Sequence, residues 1–368
     1  MRKIVMFHPY VSEGARQNVD EVLRSRWIGE GEWVARFEGT LKKRFGFAHC
    51  VALNSGTAGL RLALAMCGVG PGDEVITPAY TCTATNMPIL EQRATPVFAD
   101  IKYETGNIDP DDIEYRVTDK TKAIMVVHWG GYPCDMDEIH TAAWKHGIPI
   151  IEDAAHALGA TYHRRPIGTI SDFTMFSFQA IKQLTCGDGG ALTMLNQIDC
   201  DEARRRRWFG IDRINRKAGE NGYAHWDQSE VGYKYNMNNI SAAIGLGNLE
   251  GYAERQAQRD MIVELYRHEL ADVPGLTLFE RLPDRISANW LFTIHVERRN
   301  SFHRMMLSNG VETSVVHIRN DAHSIFGPLR EDLPNTDHYA ATNISIPLHD
   351  HLTPGDVGYI IKCIKGGW

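Results

Sequence analysis

Between residues 50 and about 195 the chain alternates short apolar runs with stretches of helical periodicity, which constrains its fold more than any other feature. The runs at Cys50–Leu53, Glu74–Thr77, Thr95–Phe98, Ala123–Val127, Ile148–Ile151 and Phe173–Phe178 have strand length and are rich in β-branched or aromatic residues. Between the fourth and fifth, Ile139, Ala142 and Ala143 form an apolar stripe, with Asp135 as the expected N-cap and Gly147 as the stop. Such alternation predicts a mainly parallel sheet covered by helices on both faces, an α/β architecture. Ligands of open α/β sheets bind beyond the carboxyl ends of the strands, so the residues just after each run carry the functional argument.

The flanking segments complete the plan. Val19, Val22 and Leu23, then Val34, Phe37 and Leu41, recur at helical spacing and suggest a helical lead-in. At 368 residues the chain exceeds what one core usually organises. Residues 1–250 are expected to form a large domain and residues 251–368 a smaller α+β domain. A Glu-, Arg- and Gln-rich helix over roughly 248–271 joins them. In the smaller unit Trp290–Val296 reads as a strand, Ser301–Leu307 as a helix ended by Asn309-Gly310, and Thr313–His317 as a further strand.

Three segments bring chemistry to the strand ends. Asp153, in Glu152-Asp153-Ala154-Ala155-His156, follows the fifth run, and Lys182 follows the sixth in a loop closed by Gly187-Asp188-Gly189-Gly190. The third segment, Asn54-Ser55-Gly56-Thr57-Ala58-Gly59, is a strand-to-helix turn of small residues whose backbone N–H groups and hydroxyls can surround an anion. A further hydroxyl comes from Ser177. Taken singly, Asp153 and Lys182 read as an ion pair at a sheet edge, and the turn as an N-cap made by Ser55 or Thr57. Together they match pyridoxal 5'-phosphate (PLP). It needs an amine to condense with its aldehyde, a carboxylate to keep its ring nitrogen protonated, and a cradle for its phosphate.

Composition closes other routes. A net charge of −7 argues against a nucleic-acid partner. The run Arg204–Arg207 reads as a solvated helix face, or else as a cationic patch for an anionic substrate. No apolar run reaches 18 residues and the N-terminal one is too short for a signal peptide, so a cytoplasmic enzyme without a membrane span is expected. Seven scattered cysteines without a CxxC pair read as reduced thiols. His349-Asp350-His351 lacks further ligands, and no metal is expected.

The segments NSGTAGL, EDAAHALGA, FSFQAIK followed by GDGGAL, and VGYKYNMNN resemble, in order and spacing, those of the DegT–StrS sugar aminotransferases. The resemblance spans essentially the whole chain. It implies the aspartate aminotransferase fold (fold type I), with a mixed, mainly parallel seven-stranded sheet, and a homodimer with active sites at the interface. It also implies that Lys182 holds the cofactor and moves the proton, that Asp153 serves the ring nitrogen and that His156 stacks on the ring. Ser55, Gly56, Thr57 and Ser177 would bind the phosphate, and Asn236 would reach the partner's phosphate. Tyr80 and Gln179 would line the site. Two departures fall near the substrate. Val316-His317-Ile318-Arg319 replaces a His-Tyr-x-Pro pattern, which makes His317 and Arg319, a possible carboxylate or phosphate clamp, substrate candidates. Trp129, in His128-Trp129-Gly130-Gly131, is a third.

The implied reaction moves an amino group from L-glutamate, through pyridoxamine 5'-phosphate, to a ketone at C3 or C4 of a nucleoside-diphosphate hexose. Relatives that act on a cyclitol ketone, or that dehydrate sugars, are alternatives. The dehydratase branch has histidine where this chain has Lys182.

Overall fold

Two helices, α1 (Glu13–Ser25) and α2 (Glu32–Phe45), lead into an alternating series: β1 (His49–Leu53), α3 (Gly56–Met66), β2 (Glu74–Pro78), α4 (Thr83–Glu91), β3 (Thr95–Ala99), α5 (Pro110–Arg116), β4 (Thr121–Val127), α6 (Met136–His146) and β5 (Ile150–Asp153). Two short strands follow, β6 (Thr161–Tyr162) and β7 (Arg165–Pro166), then β8 (Phe173–Ser177) and β9 (Gly190–Met194). The computed structural model describes residues 3–213, 217–218, 221–222, 224–225 and 228–368. The first two residues of the N-terminal run, and parts of the polar stretch before residue 228, lie outside them.

The seven-stranded sheet has the order β1-β9-β8-β5-β4-β2-β3, and only β9 runs against the rest. Successive residues of a strand feed cores on opposite faces. Ile124 and Val126 join one cluster with Phe37, Ile139 and Ala142, while Ala123 and Met125 join another with Leu60, Leu62 and Leu64. Burial of both faces is the reason these strands read as continuous apolar runs rather than alternating ones.

Next come α7 (Gln197–Arg206), the ribbon β10 (Lys217–Ala218) and β11 (Ala224–His225), α8 (Asn239–Leu249), α9 (Tyr252–Leu270), β12 (Leu276–Leu278), β13 (Arg285–Ile286), β14 (Phe292–Val296), α10 (Arg299–Ser308), α11 (Pro334–Thr342), β15 (Asn343–Ile346) and α12 (Pro354–Lys365). A separate core of Val263, Tyr266, Phe292, Ile294, Ile346 and Ile360 holds this second unit. No helix among the described residues is long and apolar enough to cross a membrane.

Three expectations are corrected. Thr313–His317 is not a strand: Ser314 makes one isolated bridge to Ser345 at the edge of β15, and His317 turns left-handed at φ 67°. Asp135 stands at the N-cap of α6 but spends its carboxylate on Arg285 (2.6 Å) and Lys102 (2.5 Å). The arginine run is neither a solvated face nor a free patch. Buried Arg207 meets Glu38 and Glu30, while Arg205 and Arg206 meet Glu230.

Candidate active site

The turn after β1 is shaped by a glycine on β9, distant in sequence but adjacent in the sheet. Gly190 opens β9 and pairs with Leu53 on one side and Ser177 on the other. A Cβ there would sit 2.5 Å from the Ser55 carbonyl oxygen and 2.6 Å from the Gly56 nitrogen, so only glycine lets the turn fold down onto the sheet. Gly56 is pressed in turn toward Ser177, whose Cβ lies 3.1 Å from where a Gly56 Cβ would be. Ser55 Oγ accepts the Ala58 N–H (3.1 Å) and caps α3, which leaves the hydroxyl hydrogen to donate. The N-terminus of α3 and the Ser177 hydroxyl therefore lie side by side, and a helix N-terminus offers free amides to an anion.

Asp153 ends β5, flanked in register by Val127 of β4 and Met175 of β8. Its Oδ2 accepts from Thr85 Oγ1 (2.8 Å) and its Oδ1 from the Ala155 N–H (3.0 Å). Burial pushes this carboxyl up from its ordinary range, and those two donors, with Lys182, pull it back. The Lys182 Nζ lies 3.6 Å from the Trp290 ring centroid. Burial lowers the Lys182 ammonium to about 8, opposed by Asp153 and Cys82. About a tenth of the amine is then neutral at pH 7, against far less for an ordinary lysine.

An aromatic wall completes the site. The His156 ring stacks on Trp290 at 3.8 Å and 19° and lies parallel to His317 at 6.1 Å, with Trp129 edge-on at 5.9 Å. His156 Nδ1 and His317 Nε2 are buried with no hydrogen-bond partner among the described residues. Burial, reinforced by the nearby Lys182 charge, drives His156 well below its ordinary value and His317 to about 4, so both rings are neutral. His317 faces this group from a left-handed backbone that a non-glycine residue adopts at a cost.

The other expected residues divide. Trp129 is almost fully buried behind His156, and Tyr80 behind it again, with its hydroxyl on Asn343 Oδ1 (3.0 Å). Gln179 is exposed and folds its Oε1 back onto the Ile181 N–H. Asn236 bridges Leu53 beside the turn after β1 and takes Lys234 Nζ on its Oδ1 at 2.6 Å. Arg319 does not join the site. Its Nε and Nη2 are committed to Asp321, both at 2.6 Å, and its Nη1 to Asp337, so the clamp expected of it has gone to the fold. Thr85, Cys82 and Trp290 belong to the site and were not expected. Thr85 had a faint signal, a hydroxyl one helical turn after Thr81. Trp290 was hidden as the first residue of an apolar run.

Residues 9–365 match the DegT/DnrJ/EryC1/StrS aminotransferase family. The spore coat polysaccharide biosynthesis protein SpsC of Bacillus subtilis is 37% identical over 369 residues, covering 97% of this chain and 95% of that protein. The sugar aminotransferase CalS13 of Micromonospora echinospora superposes with a TM-score of 0.93 at 36% identity, over 99% of this chain and 100% of that one. Spr1654 of Streptococcus pneumoniae, solved in a PLP form, superposes with a TM-score of 0.91 at 30% identity, over 99% and 98% of the two chains.

Proposed function

This chain belongs to the DegT/DnrJ/EryC1/StrS family of PLP-dependent aminotransferases, and on that premise we propose that it carries an amino group from L-glutamate to a ketone of a nucleoside-diphosphate hexose in the cytoplasm. The observation that carries the reading is the meeting of a Lys182 amine lowered to about 8 and a buried, hydrogen-bonded Asp153 carboxylate near Gly56 and Ser177. The polysaccharide and sugar roles in the names of SpsC and CalS13 support a sugar substrate.

The residues fit the cofactor. The α3 N-terminus beside Ser177 suits a phosphate, Asp153 a protonated ring nitrogen, and the unpartnered His156 a flat polar ring. Bound there, PLP supplies an aldehyde for amine exchange and a ring that accepts electron density. Asp153 holds the ring-nitrogen proton. Lys182 Nζ anchors the cofactor, takes the proton from the donor's α-carbon and later delivers one to the sugar carbon. His156, Trp290 and Trp129 exclude water around these transfers. Asn236 of a second copy closes the phosphate cradle, and His317 faces the sugar.

The test is turnover. Purified protein is loaded with PLP and given L-glutamate with a panel of 3-keto and 4-keto nucleotide hexoses, and 2-oxoglutarate release is measured. Release that depends on one such sugar, with the matching amino-sugar nucleotide formed, supports the reading. Release with a keto-cyclitol and with none of the nucleotide sugars overturns it.

A further inference from the structure

A cavity of about 20 Å³ lies behind the aromatic wall, lined in part by Trp129, Tyr132, Arg267, Glu280, Arg281 and Thr293. Arg267 donates Nη1 to the Phe279 carbonyl at 2.9 Å, and Arg281 donates Nη2 to Asn289 Oδ1 at 3.0 Å. Arg281 also sits 4.9 Å from the Tyr132 ring centroid. Among the described residues neither guanidinium has a carboxylate within 4.0 Å. Arg267 and Arg281 are half-buried, whereas the fully buried Arg207, Arg285 and Arg319 are each paired, with Glu30 and Glu38, Asp135 and Asp284, and Asp321 and Asp337.

Asp260 contacts Arg281 through Asn289, whose Nδ2 donates to it at 2.7 Å, and Asp260 and Glu264 act on Arg281 from beyond ion-pair distance. Glu280 is exposed and makes no ion pair with either arginine. Burial, and then the charge of Arg267, push Arg281 down to about 10. Two like charges turned to one small void, with no counter-charge in contact, are costly unless something negative occupies it. The void has room for one water-sized guest.

We infer that the cavity between Arg267 and Arg281 binds one halide-sized anion, which in a cell is chloride. Its place gives the guest a structural consequence. The cavity wall includes Gly130 and Leu291, and the Gly130 carbonyl accepts the N–H of Trp290 (2.9 Å) and of Leu291 (3.2 Å). The anion therefore braces the turn that carries Trp290 under Lys182.

Crystals of the PLP-loaded enzyme soaked in sodium bromide test this directly. An anomalous peak is expected in the cavity against the Arg267 and Arg281 nitrogens, and it is lost in Arg281→Gln while bromide sites elsewhere persist. In solution, the melting temperature should be about 2 °C higher in sodium chloride than in sodium gluconate of equal ionic strength, once chloride stands near tenfold its dissociation constant. That difference should vanish in Arg281→Gln, or in Arg267→Gln if the first variant does not fold. An empty or water-filled cavity in bromide crystals, a Glu280 carboxylate found seated between the two arginines, or equal melting temperatures in the two salts would each overturn the inference.

Discussion

Lys182 is predicted to cost the cofactor-free protein stability in return for reactivity, and the cost follows from its surroundings. Burial lowers its ammonium from 10.5 to about 8 even though Asp153 and Cys82 favour the charge. A native value below the unfolded one means that the unfolded chain binds more protons between those two values. The penalty is therefore complete below pH 8 and fades as pH rises toward 10.5. At pH 7 it amounts to about 3 kcal/mol, and at pH 10 to about 1 kcal/mol. Lys182 is half-buried by solvent exposure, so these are upper values. Lys182→Met keeps the stem over Trp290 and removes the charge. The cofactor-free variant should unfold up to about 4 °C above wild type at pH 7, for a chain of this length, and by about 1 °C at pH 10. Its transamination should vanish, because Lys182 is the amine assigned to the cofactor. Calorimetry of both proteins at the two pH values reads the effect as the change in their difference. A variant less stable than wild type at pH 7, or a gap unchanged between pH 7 and 10, would refute the reasoning.

Asp153→Asn should lower kcat by roughly 10²- to 10³-fold, the loss of one close charge interaction of a few kcal/mol. Single-turnover kinetics with L-glutamate decide it, and a rate within tenfold of wild type would give the ring nitrogen to another residue. Gly190→Ala places a methyl against the Ser55 carbonyl and the Gly56 nitrogen. It should weaken cofactor affinity by at least tenfold in equilibrium dialysis while Lys182 and Asp153 stay intact; unchanged affinity would mean that the turn is not the phosphate cradle. Mixing Lys182→Ala with Asn236→Ala protomers should restore activity above the average of the two parents after subunit exchange, because one hybrid site then carries neither lesion. A mixture no better than that average would put Asn236 outside the partner's site.

The legible parts of this molecule are those where one local rule decides. Strands buried on both faces announce themselves as apolar runs, and Asp153 and Lys182 could be placed at strand ends from the residues that precede them. The turn after β1 was legible as a helix start because Ser55, Gly56 and Thr57 suit an N-cap, which Ser55 makes. What stayed hidden depends on partners distant in sequence. Asp135 looks like a cap until Arg285 and Lys102 arrive, and Arg319 looks like a clamp until Asp321 does. Thr313–His317 has a strand's composition but holds the β15 edge only at Ser314, and the chain turns left-handed at His317. Trp290 is the sharpest case. The left-handed Asn289 (φ 50°) and the Gly130 carbonyl swing it out of the strand that follows, and its indole N–H reaches the Ile181 carbonyl at 3.0 Å. The ring is thereby fixed between two chain segments, one of which carries Lys182. A residue that composition assigns to the core of the smaller unit is for that reason the surface on which the amine of the larger unit rests, and the site depends on the two units keeping their contact.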